Sequence, residues 1–386
     1  MVGRVLLLIG AAATLLAGCG APTSVTTVSS TTVSSVPSTV TTTEVTVSVQ
    51  LYPIIENNKH GYIDRSGKVV IEPRYDEAMP FSEGLARVGI GDTDTMKWGY
   101  IDATGTMVIA PQFYAAWDFS EGVALVSDRT SYWFIDKTGA TVLKPQCTFA
   151  NSFSDGLALI TVDGLGAKPY AYIDHTGAVV IPPRFWQVSN FSEGLAAVAE
   201  SAGEGVAPRY GYMDTSGNYA IQPQFWSAAA FSDGLALVAT GPGANSGRAY
   251  IDHTGTAVVH LPAITEEPHG AGDPTFSEGL AAFYDQAKHL WGYIDKTGAV
   301  AIPARFTVAT RFSEGLAAAA QNNAPNGGPV YGYIDTSGTF VIPAQYASAG
   351  RFSGGLASVV VRDASGTAQR SYIDQTGKVV WTHAGP

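Results

Sequence analysis

The sequence predicts an all-β protein assembled from one repeated unit. A four-residue phrase occurs nine times. Its second residue is aromatic, its third is Ile or Met and its fourth is Asp, and the copies lie at residues 61–64, 99–102, 133–136, 171–174, 211–214, 249–252, 292–295, 332–335 and 371–374. A repeat of about 38 to 40 residues indicates that each unit buries its apolar face against its neighbours. The 43 Gly, 21 Pro and many aromatic residues suit short strands joined by tight turns.

The N-terminal residues predict an export signal. Arg4 supplies a positive start, residues 5–16 form an apolar core, and Leu16, Ala17, Gly18 and Cys19 form a processing site. These last four residues resemble the lipobox of bacterial lipoproteins, and the resemblance implies that Cys19 is acylated once the peptide before it is removed. The alternative is an uncleaved transmembrane helix, but that needs roughly 20 apolar residues and this run has about 15. We therefore expect an extracytoplasmic protein that is anchored by lipid to the bacterial cell membrane.

Two regions follow the signal at residues 1–19. Residues 20–50 are rich in Thr, Ser and Val and predict a flexible tether, because this composition offers no face that can pack. Residues 51–386 then form the repeat domain. Residues 45–55 alternate well enough to be a first β-strand, which would complete the first unit.

Each repeated phrase predicts the first arm of a β-hairpin. Asp ends the phrase and Gly follows three positions later, which is typical of a type I turn with a bulge, since Asp accepts from backbone N–H groups and Gly tolerates a positive φ. The turn residues are Asp64 and Gly67, Asp102 and Gly105, Asp136 and Gly139, Asp174 and Gly177, Asp214 and Gly217, Asp252 and Gly255, Asp295 and Gly298, Asp335 and Gly338, and Asp374 and Gly377. We interpret these residues as structural.

The rest of the unit predicts two further strands. The second arm is rich in Val and Ile and is expected to end at a Pro, as at residues 69–73. A second phrase, Phe-Ser-Glu-Gly-Leu-Ala at residues 81–86, recurs eight times and leads into a third strand. Each unit is therefore predicted to be a three-stranded antiparallel meander, and about eight to nine such units make up the domain.

Segment lengths separate a regular half of the unit from a variable half. The aromatic residue of the first phrase and the Phe of the second are 19 residues apart in seven units, whereas the return to the next phrase varies from 11 to 17 residues. Variable length is typical of loops, and equivalent loops of a repeat array lie on one face. The predicted loops are residues 91–97, 127–131, 163–169, 200–209, 240–248, 285–290, 321–330 and 362–370.

The two phrases resemble the WG-repeat family of bacterial proteins, whose unit runs Trp-Gly-Tyr-Ile-Asp, a turn, a Val-Ile strand, Pro, an aromatic residue and Phe-Ser-Glu-Gly-Leu-Ala. Residues 98–102 and 291–295 match the first phrase fully, and the resemblance extends over roughly residues 59–380. The resemblance implies a β-rich repeat scaffold of a family whose members are usually exported or of unassigned role, and it implies no catalytic residues.

Two architectures fit such units. A closed, propeller-like toroid hides the sheet edges that an open array exposes, and we favour it. Nine units exceed the usual four to eight blades, so an open, curved β-superhelix is the alternative.

Composition and motifs exclude several functions. The net charge is −11 and no cluster of Lys and Arg occurs, which disfavours nucleic acid as a partner. The nine turn Asp residues suggest calcium, but turn formation explains their spacing better, and the His residues have no zinc spacing. We expect no metal and no cofactor, and we find no catalytic motif.

These observations predict a non-catalytic, monomeric lipoprotein that binds a protein or a cell-envelope glycan through its variable loops. Aromatic residues beside the loops are candidate ligand contacts, namely Trp98, Trp133, Trp291, Tyr210 and Tyr331. Packing between units is the competing interpretation of these side chains. One alternative function is an enzyme acting on envelope polymers, with its site in the central channel or in the irregular residues 261–274. Another is a purely structural spacer.

Overall fold

Short antiparallel sheets make up the whole described part of the chain. A computed structural model describes residues 50–383 except 163, 165–168, 201–206, 243–246, 263–271, 322–327 and 363–365. These residues contain 33 β-strands in nine sheets and no helix. The predicted signal, Cys19 and the tether up to residue 49 lie outside the described residues. The nine sheets form a closed ring, so the prediction of an all-β, propeller-like toroid is confirmed.

Every sheet, or blade, has three long strands. The lead strands are β1 (Tyr52–Glu56), β5 (Ala86–Ile90), β9 (Ala124–Ser127), β12 (Ala158–Thr161), β16 (Leu195–Glu200), β20 (Ala236–Ala239), β23 (Leu280–Asp285), β27 (Ala317–Gln321) and β31 (Leu356–Arg362). The middle strands are β2 (Lys59–Ile63), β6 (Lys97–Ile101), β10 (Tyr132–Ile135), β13 (Tyr170–Ile173), β17 (Arg209–Asp214), β21 (Arg248–Ile251), β24 (Leu290–Asp295), β28 (Val330–Ile334) and β32 (Ala368–Asp374). The trailing strands are β3 (Val69–Tyr75), β7 (Met107–Phe113), β11 (Thr141–Leu143), β14 (Val179–Phe185), β18 (Tyr219–Phe225), β22 (Ala257–Leu261), β25 (Val300–Phe306), β29 (Phe340–Tyr346) and β33 (Val379–Thr382).

Six blades add a short fourth strand, which the sequence analysis missed. These strands have two residues each and pair with the lead strand of their blade: β4 (Glu77–Ala78), β8 (Ala115–Ala116), β15 (Gln187–Val188), β19 (Ser227–Ala228), β26 (Val308–Ala309) and β30 (Ser348–Ala349). Two residues carry no periodicity, so hydrophobic patterning alone cannot reveal such a strand. Blade 1 consists of β1, β2 and β3, and the blades are numbered from it along the chain.

In six blades the trailing strand continues through its Pro, contrary to the prediction that Pro ends it, whereas in blades 3 and 6 the strand ends before Pro145 and Pro262 as predicted. In blade 2 Tyr100 pairs with Ile109 and Trp98 pairs with Phe113, so two extra residues bulge out beside Pro111. The bulge brings the backbone so close to the middle strand that a Cβ on Gly99 would lie 2.4 Å from the Ile109 carbonyl oxygen. Gly therefore leaves the most room for the bulge, although blade 4 keeps the same bulge with Ala171 at this position.

Neighbouring blades share their hydrophobic cores. One cluster joins Leu85, Tyr100 and Ile109 of the second unit to Ala124 and Ile135 of the third, and all of them are buried. The Tyr100 hydroxyl donates to the Trp117 carbonyl of the next blade at 2.7 Å. Burial of a phenol is tolerated when its hydroxyl has such a partner.

The same type of contact closes the ring between blades 9 and 1. The Tyr372 hydroxyl donates to the Pro53 carbonyl at 2.9 Å, across 319 positions of sequence. Tyr52 and Ile54 pack with Leu356 and Trp381 in one buried cluster. The open superhelix is therefore wrong. β1 supplies the strand that completes the first unit, which raises the count to nine.

The short strands lie at the inner edge of the ring. Short-strand segments of three successive blades, including Asn151, Gln187 and Ala228, border one cavity. Radial blades converge only towards the axis, so three of them can meet only on the inside. The trailing strands lie outside, and Val70, Val108, Val180 and Val341 on them are 37–45% exposed.

Candidate functional site

The two ends of the blades carry different connections. One end bears the Asp-x-x-Gly turns between middle and trailing strands together with the Ser-Glu-Gly-Leu turns before the lead strands, and we call it the turn side. The opposite end bears the variable loops between lead and middle strands and the crossings from blade to blade, and we call it the loop side.

On the turn side, each Asp carboxylate is used within its own turn. Asp102 Oδ1 accepts from the Thr104 hydroxyl at 2.6 Å, the Thr104 N–H at 2.9 Å and the Thr106 N–H at 3.0 Å. The Gly105 N–H donates to the Asp102 carbonyl at 2.9 Å, with a φ of +82° at Gly105. The Thr104 hydroxyl is the largest of the influences that lower the pKa of Asp102. Across the described residues, no group of three or more His, Cys, Asp or Glu is placed to hold a metal ion.

The acidic residues of the second phrase link one blade to the next. Seven of them accept from the N–H of Gly in the following unit, and all seven have a positive φ: Glu83, Glu121, Asp155, Glu193, Asp233, Glu278 and Glu314. A non-Gly residue in this conformation is strained, so the bond across blades compensates for the strain. These carboxylates are structural.

All five candidate aromatic residues pack against cores that neighbouring blades share. Trp291 is buried, and its ring lies directly beneath Gly272. Trp133 replaces the Gly of the first phrase and packs edge-on against Phe113 of the preceding blade, with ring centroids 5.9 Å apart. Trp98 is half-buried with the Arg87 guanidinium over its ring at 5.4 Å, and Tyr331 packs against the core that joins blades 8 and 9.

Trp291 lines a small cavity beside Leu261 and Tyr284, whereas Tyr210 lines a much larger, open one. The larger cavity has a volume of about 460 Å³ and crosses blades 4, 5 and 6 at their inner edge. We call it the aromatic groove, and its walls are Phe149, Asn151, Leu159, Tyr170, Gln187, Val188, Ser189, Ala197, Tyr210 and Ala228. This lining contains aromatic, amide and hydroxyl groups and no charged side chain.

Hydrogen bonds hold the polar side chains of the groove in place. The Tyr210 hydroxyl donates to Gln187 Oε1. Asn151 Nδ2 donates to Asn190 Oδ1 of the next blade at 2.7 Å. The Ser189 hydroxyl bonds within its own blade, donating to the Asn190 carbonyl at 2.9 Å and accepting from the Ala197 N–H at 3.0 Å. The groove is thus built before any ligand arrives.

Further aromatic side chains flank the groove. Tyr132 lies 6.2 Å from Phe149 and 6.0 Å from Trp117, measured between ring centroids. Tyr114 and Trp186 are 42% and 45% exposed at the crossings between blades. The Arg209 guanidinium lies 3.3 Å above the centre of Trp226. Blades 3 to 5 therefore concentrate solvent-facing aromatic surface in one sector of the ring.

A second cavity at the inner edge of blades 7 to 9 lacks these features. Its volume is about 340 Å³, and its lining includes Val308, Thr310, Ala349, Asp273 and Arg351 but no aromatic residue. Both cavities are bordered by short-strand segments, but only the aromatic groove also reaches lead and middle strands, through Leu159, Tyr170 and Tyr210.

The sequence analysis missed Phe149, Tyr170, Asn151 and Gln187 as groove residues. Tyr170 precedes the first phrase just as Tyr210 does, and that equivalence is a signal that the repeat alignment contains. Asn151 and Gln187 occupy short-strand segments in which most blades carry small residues. Of the irregular residues 261–274, positions 263–271 lie outside the described residues. None of the described segments is a helix able to span a membrane.

The fold of this chain is similar to that of a solved structure, and two further structures show weaker similarity. A crystal structure of the eukaryotic initiation factor has a TM-score of 0.56 at 11% identity, over 87% of this chain and 95% of that one. The β-propeller domain of the Trilobed protease from Pyrococcus furiosus has a TM-score of 0.41 at 9% identity, over 81% of this chain and 99% of that one. Dipeptidyl peptidase 4 from Porphyromonas gingivalis has a TM-score of 0.46 at 9% identity, over 86% of this chain and 57% of that one. No curated protein sequence matches the chain significantly.

A family model, described as WG containing repeat, matches the chain seven times. The matched residues are 61–93, 98–129, 134–165, 170–200, 210–241, 291–323 and 331–363. Each match runs from the middle strand of one blade to the lead strand of the next, so that the seven matches together reach all nine blades. The chain therefore belongs to the WG-repeat family.

Proposed function

We propose that this WG-repeat propeller is the non-catalytic binding scaffold of an exported lipoprotein, and that its loop side recognises a protein or a cell-envelope glycan. The observation that carries the proposal is a difference between the two ends of the blades, in which polar side chains at one end bond within the protein and aromatic side chains at the other end are exposed. Carboxylates on the turn side are engaged within turns or across blades. Exposed aromatic residues such as Tyr114 and Trp186 lie instead at loop-side crossings. Exposed aromatic surface on a rigid framework suits recognition.

A binding role without turnover is supported by the chemistry of the groove. Its lining holds no Asp, Glu, His, Lys or Cys, so its only titratable side chains are the phenols of Tyr170 and Tyr210. Ser189, its one hydroxyl beside the tyrosines, donates to a backbone carbonyl and has no His partner in the lining.

Export and lipid anchoring rest on the N-terminal sequence. Labelling of cells with a palmitate analogue should modify the wild-type chain and fail to modify Cys19→Ala, because Cys19 is the proposed acylation site. Equal labelling of both proteins would refute the anchor.

The binding role is tested by affinity capture from cell-envelope fractions. The immobilised full-length chain should retain a saturable partner. A variant in which residues 200–209, 240–248 and 321–330 are shortened to the length of residues 127–131 should retain less of it. Absence of any saturable partner would favour the structural spacer. Turnover of an envelope polymer would contradict the non-catalytic role.

A further inference from the structure

The aromatic groove has the lining of a carbohydrate site. Phe149, Tyr170 and Tyr210 line it with aromatic surface, and Asn151, Gln187 and Ser189 lie among them. Sugar rings present apolar C–H faces that stack on aromatic rings, and their hydroxyls both donate and accept hydrogen bonds. Amide side chains are matched to such hydroxyls because each carries a donor and an acceptor.

The volume of the groove and its extent across the blades suit more than one sugar ring. Its volume of about 460 Å³ lies within the range of small-ligand pockets. It extends over three blades, from Phe149 and Asn151 to Ala228. Such an extended, open shape accommodates a segment of a chain better than a compact metabolite.

Charge selects among possible occupants. The lining contains no Lys, Arg or His, and the chain as a whole has a net charge of −11. An anionic polymer would therefore be repelled over long range and find no counter-charge in the groove. A peptide segment would bring backbone N–H and C=O groups that need a free strand edge or a denser set of polar partners.

The amides retain bonding capacity after their contacts within the protein. Among the described contacts, Asn151 uses one N–H of its amide, towards Asn190. Gln187 uses its oxygen, towards Tyr210. One N–H and the oxygen of Asn151, and both N–H groups of Gln187, are thus available to a ligand that supplies hydroxyl oxygens and hydrogens.

From these features we infer that the aromatic groove binds a neutral oligosaccharide segment, with Tyr170, Tyr210 and Phe149 stacking on sugar rings and Asn151 and Gln187 bonding their hydroxyls. The inference rests on the proposed binding function and narrows it to one ligand class. The cavity of blades 7 to 9, which has no aromatic residue and contains Arg351 and Asp273, takes no part.

The experiment is a binding assay with the full-length chain in a detergent that has no sugar head group. The probes are short neutral oligosaccharides of glucose, mannose, galactose and N-acetylglucosamine, with oligogalacturonate as the anionic counterpart. We expect saturable binding of a neutral probe and none of the anionic one. Tyr210→Ala and Tyr170→Ala should each weaken binding by about tenfold, which corresponds to a loss of about 1.4 kcal/mol for one stacking contact.

Matched variants separate the groove from the rest of the ring. Gln187→Ala changes an exposed side chain, so it should weaken binding without lowering the unfolding midpoint. Tyr284→Ala alters a half-buried aromatic residue in blade 7, and Gln345→Ala an exposed amide in blade 8, and both should bind like wild type. Equal losses in the groove and control variants would overturn the site.

The outcomes also distinguish the inference from the proposed function. If no neutral probe binds while the affinity capture retains an envelope protein, the carbohydrate inference is wrong and the scaffold function stands. If a neutral probe binds and neither Tyr210→Ala nor Gln187→Ala weakens it, the sugar site lies elsewhere. If neither assay finds a saturable ligand, both proposals fail.

Discussion

The turn side and the loop side of the ring use repeated sequence in opposite ways. On the turn side seven Ser hydroxyls, from Ser82 to Ser313, donate to the Phe carbonyl of the next unit at 2.7–2.9 Å. On the loop side the residue after the trailing aromatic changes from blade to blade, as Asp76, Tyr114, Trp186 and Thr307 show. Equivalent residues of the units therefore make the same hydrogen bond on the turn side, whereas equivalent residues on the loop side differ in their side chains.

Within this chain, the residue type is retained from unit to unit at positions whose side chain bonds to the neighbouring blade. The acidic residue and the Ser hydroxyl of the second phrase each meet the same partner in seven units, so the replacement of either would leave a donor or acceptor unsatisfied. A loop-side residue meets solvent or a ligand, and its identity is free of that constraint. Stability and recognition are thus assigned to opposite ends of the blade.

The largest expected effect lies between the two sides, at the bulge of a trailing strand. Gly99→Val should destabilise the fold by about 3 kcal/mol, because a side chain there collides with the Ile109 carbonyl. We choose Val because Ala171 already occupies the equivalent position in blade 4. The control is Ala110→Val, at an exposed position of the same trailing strand. Equal losses in denaturant unfolding would show that the bulge moves freely.

A turn-side carboxylate is expected to matter for stability and not for binding. Glu121→Ala should cost about 2 kcal/mol, since it removes the acceptor of the Gly156 N–H and of His175. Glu121→Gly should cost less than Glu121→Ala, because Glu121 has a φ of +55°. Asp94→Ala, at an exposed loop-side position, is the control. The assignment of stability to the turn side would be contradicted if Glu121→Ala weakened ligand capture while the midpoint of unfolding stayed unchanged.

Closure of the ring should be no weaker than the contacts inside it. Tyr372→Phe and Tyr100→Phe should each cost about 1 kcal/mol, because each removes a hydroxyl that donates to a carbonyl of the next blade. Phe134 in blade 3 shows that the ring packs without this hydroxyl in one unit. Hydrogen exchange would locate the effect. Faster exchange in blades 1 and 9 is expected for Tyr372→Phe, and unchanged exchange there would contradict closure through this contact.

The smallest expected effect is the acid sensitivity of a single turn. The Thr104 hydroxyl lowers the pKa of Asp102 from its ordinary value of 3.8. The carboxylate therefore stabilises the fold at pH values above 3.8, and this contribution is lost as the pH falls through the lowered pKa of the folded state. Asp102→Asn should make unfolding slightly less dependent on pH below 4 than in the wild-type chain. A steeper dependence in the variant would contradict the turn role.

Much of the blade was predictable because its contacts are local. Asp102, Thr104 and Gly105 lie within four positions, so turn chemistry can be read directly from the sequence. The middle and trailing strands follow from Tyr100 and Ile109, whose pairing joins residues nine positions apart. The expectation that Pro111 ends its strand was wrong, because Gly99 provides room for a bulge that lets the strand continue past it.

The candidate site was less predictable, because its residues belong to different units. Of the five aromatic residues selected from the sequence, the structure places only Tyr210 on the aromatic groove. Trp133 was selected as a large aromatic residue beside a loop, but it lies at the Gly position and packs against Phe113. Whether a side chain lines a cavity depends on the face of the blade that it occupies, and adjacent residues of a strand occupy opposite faces.

The sequence by itself determined the all-β class, the repeated unit and the alternation of fixed and variable segments, since these depend on backbone preferences and contacts within one unit. Only the tertiary structure decided that nine blades close, with Tyr372 on Pro53, and that Phe149, Gln187 and Tyr210 share one groove. The physical reason is that closure and groove shape depend on the angle between blades. That angle results from many packing contacts between units, and no single repeat contains it.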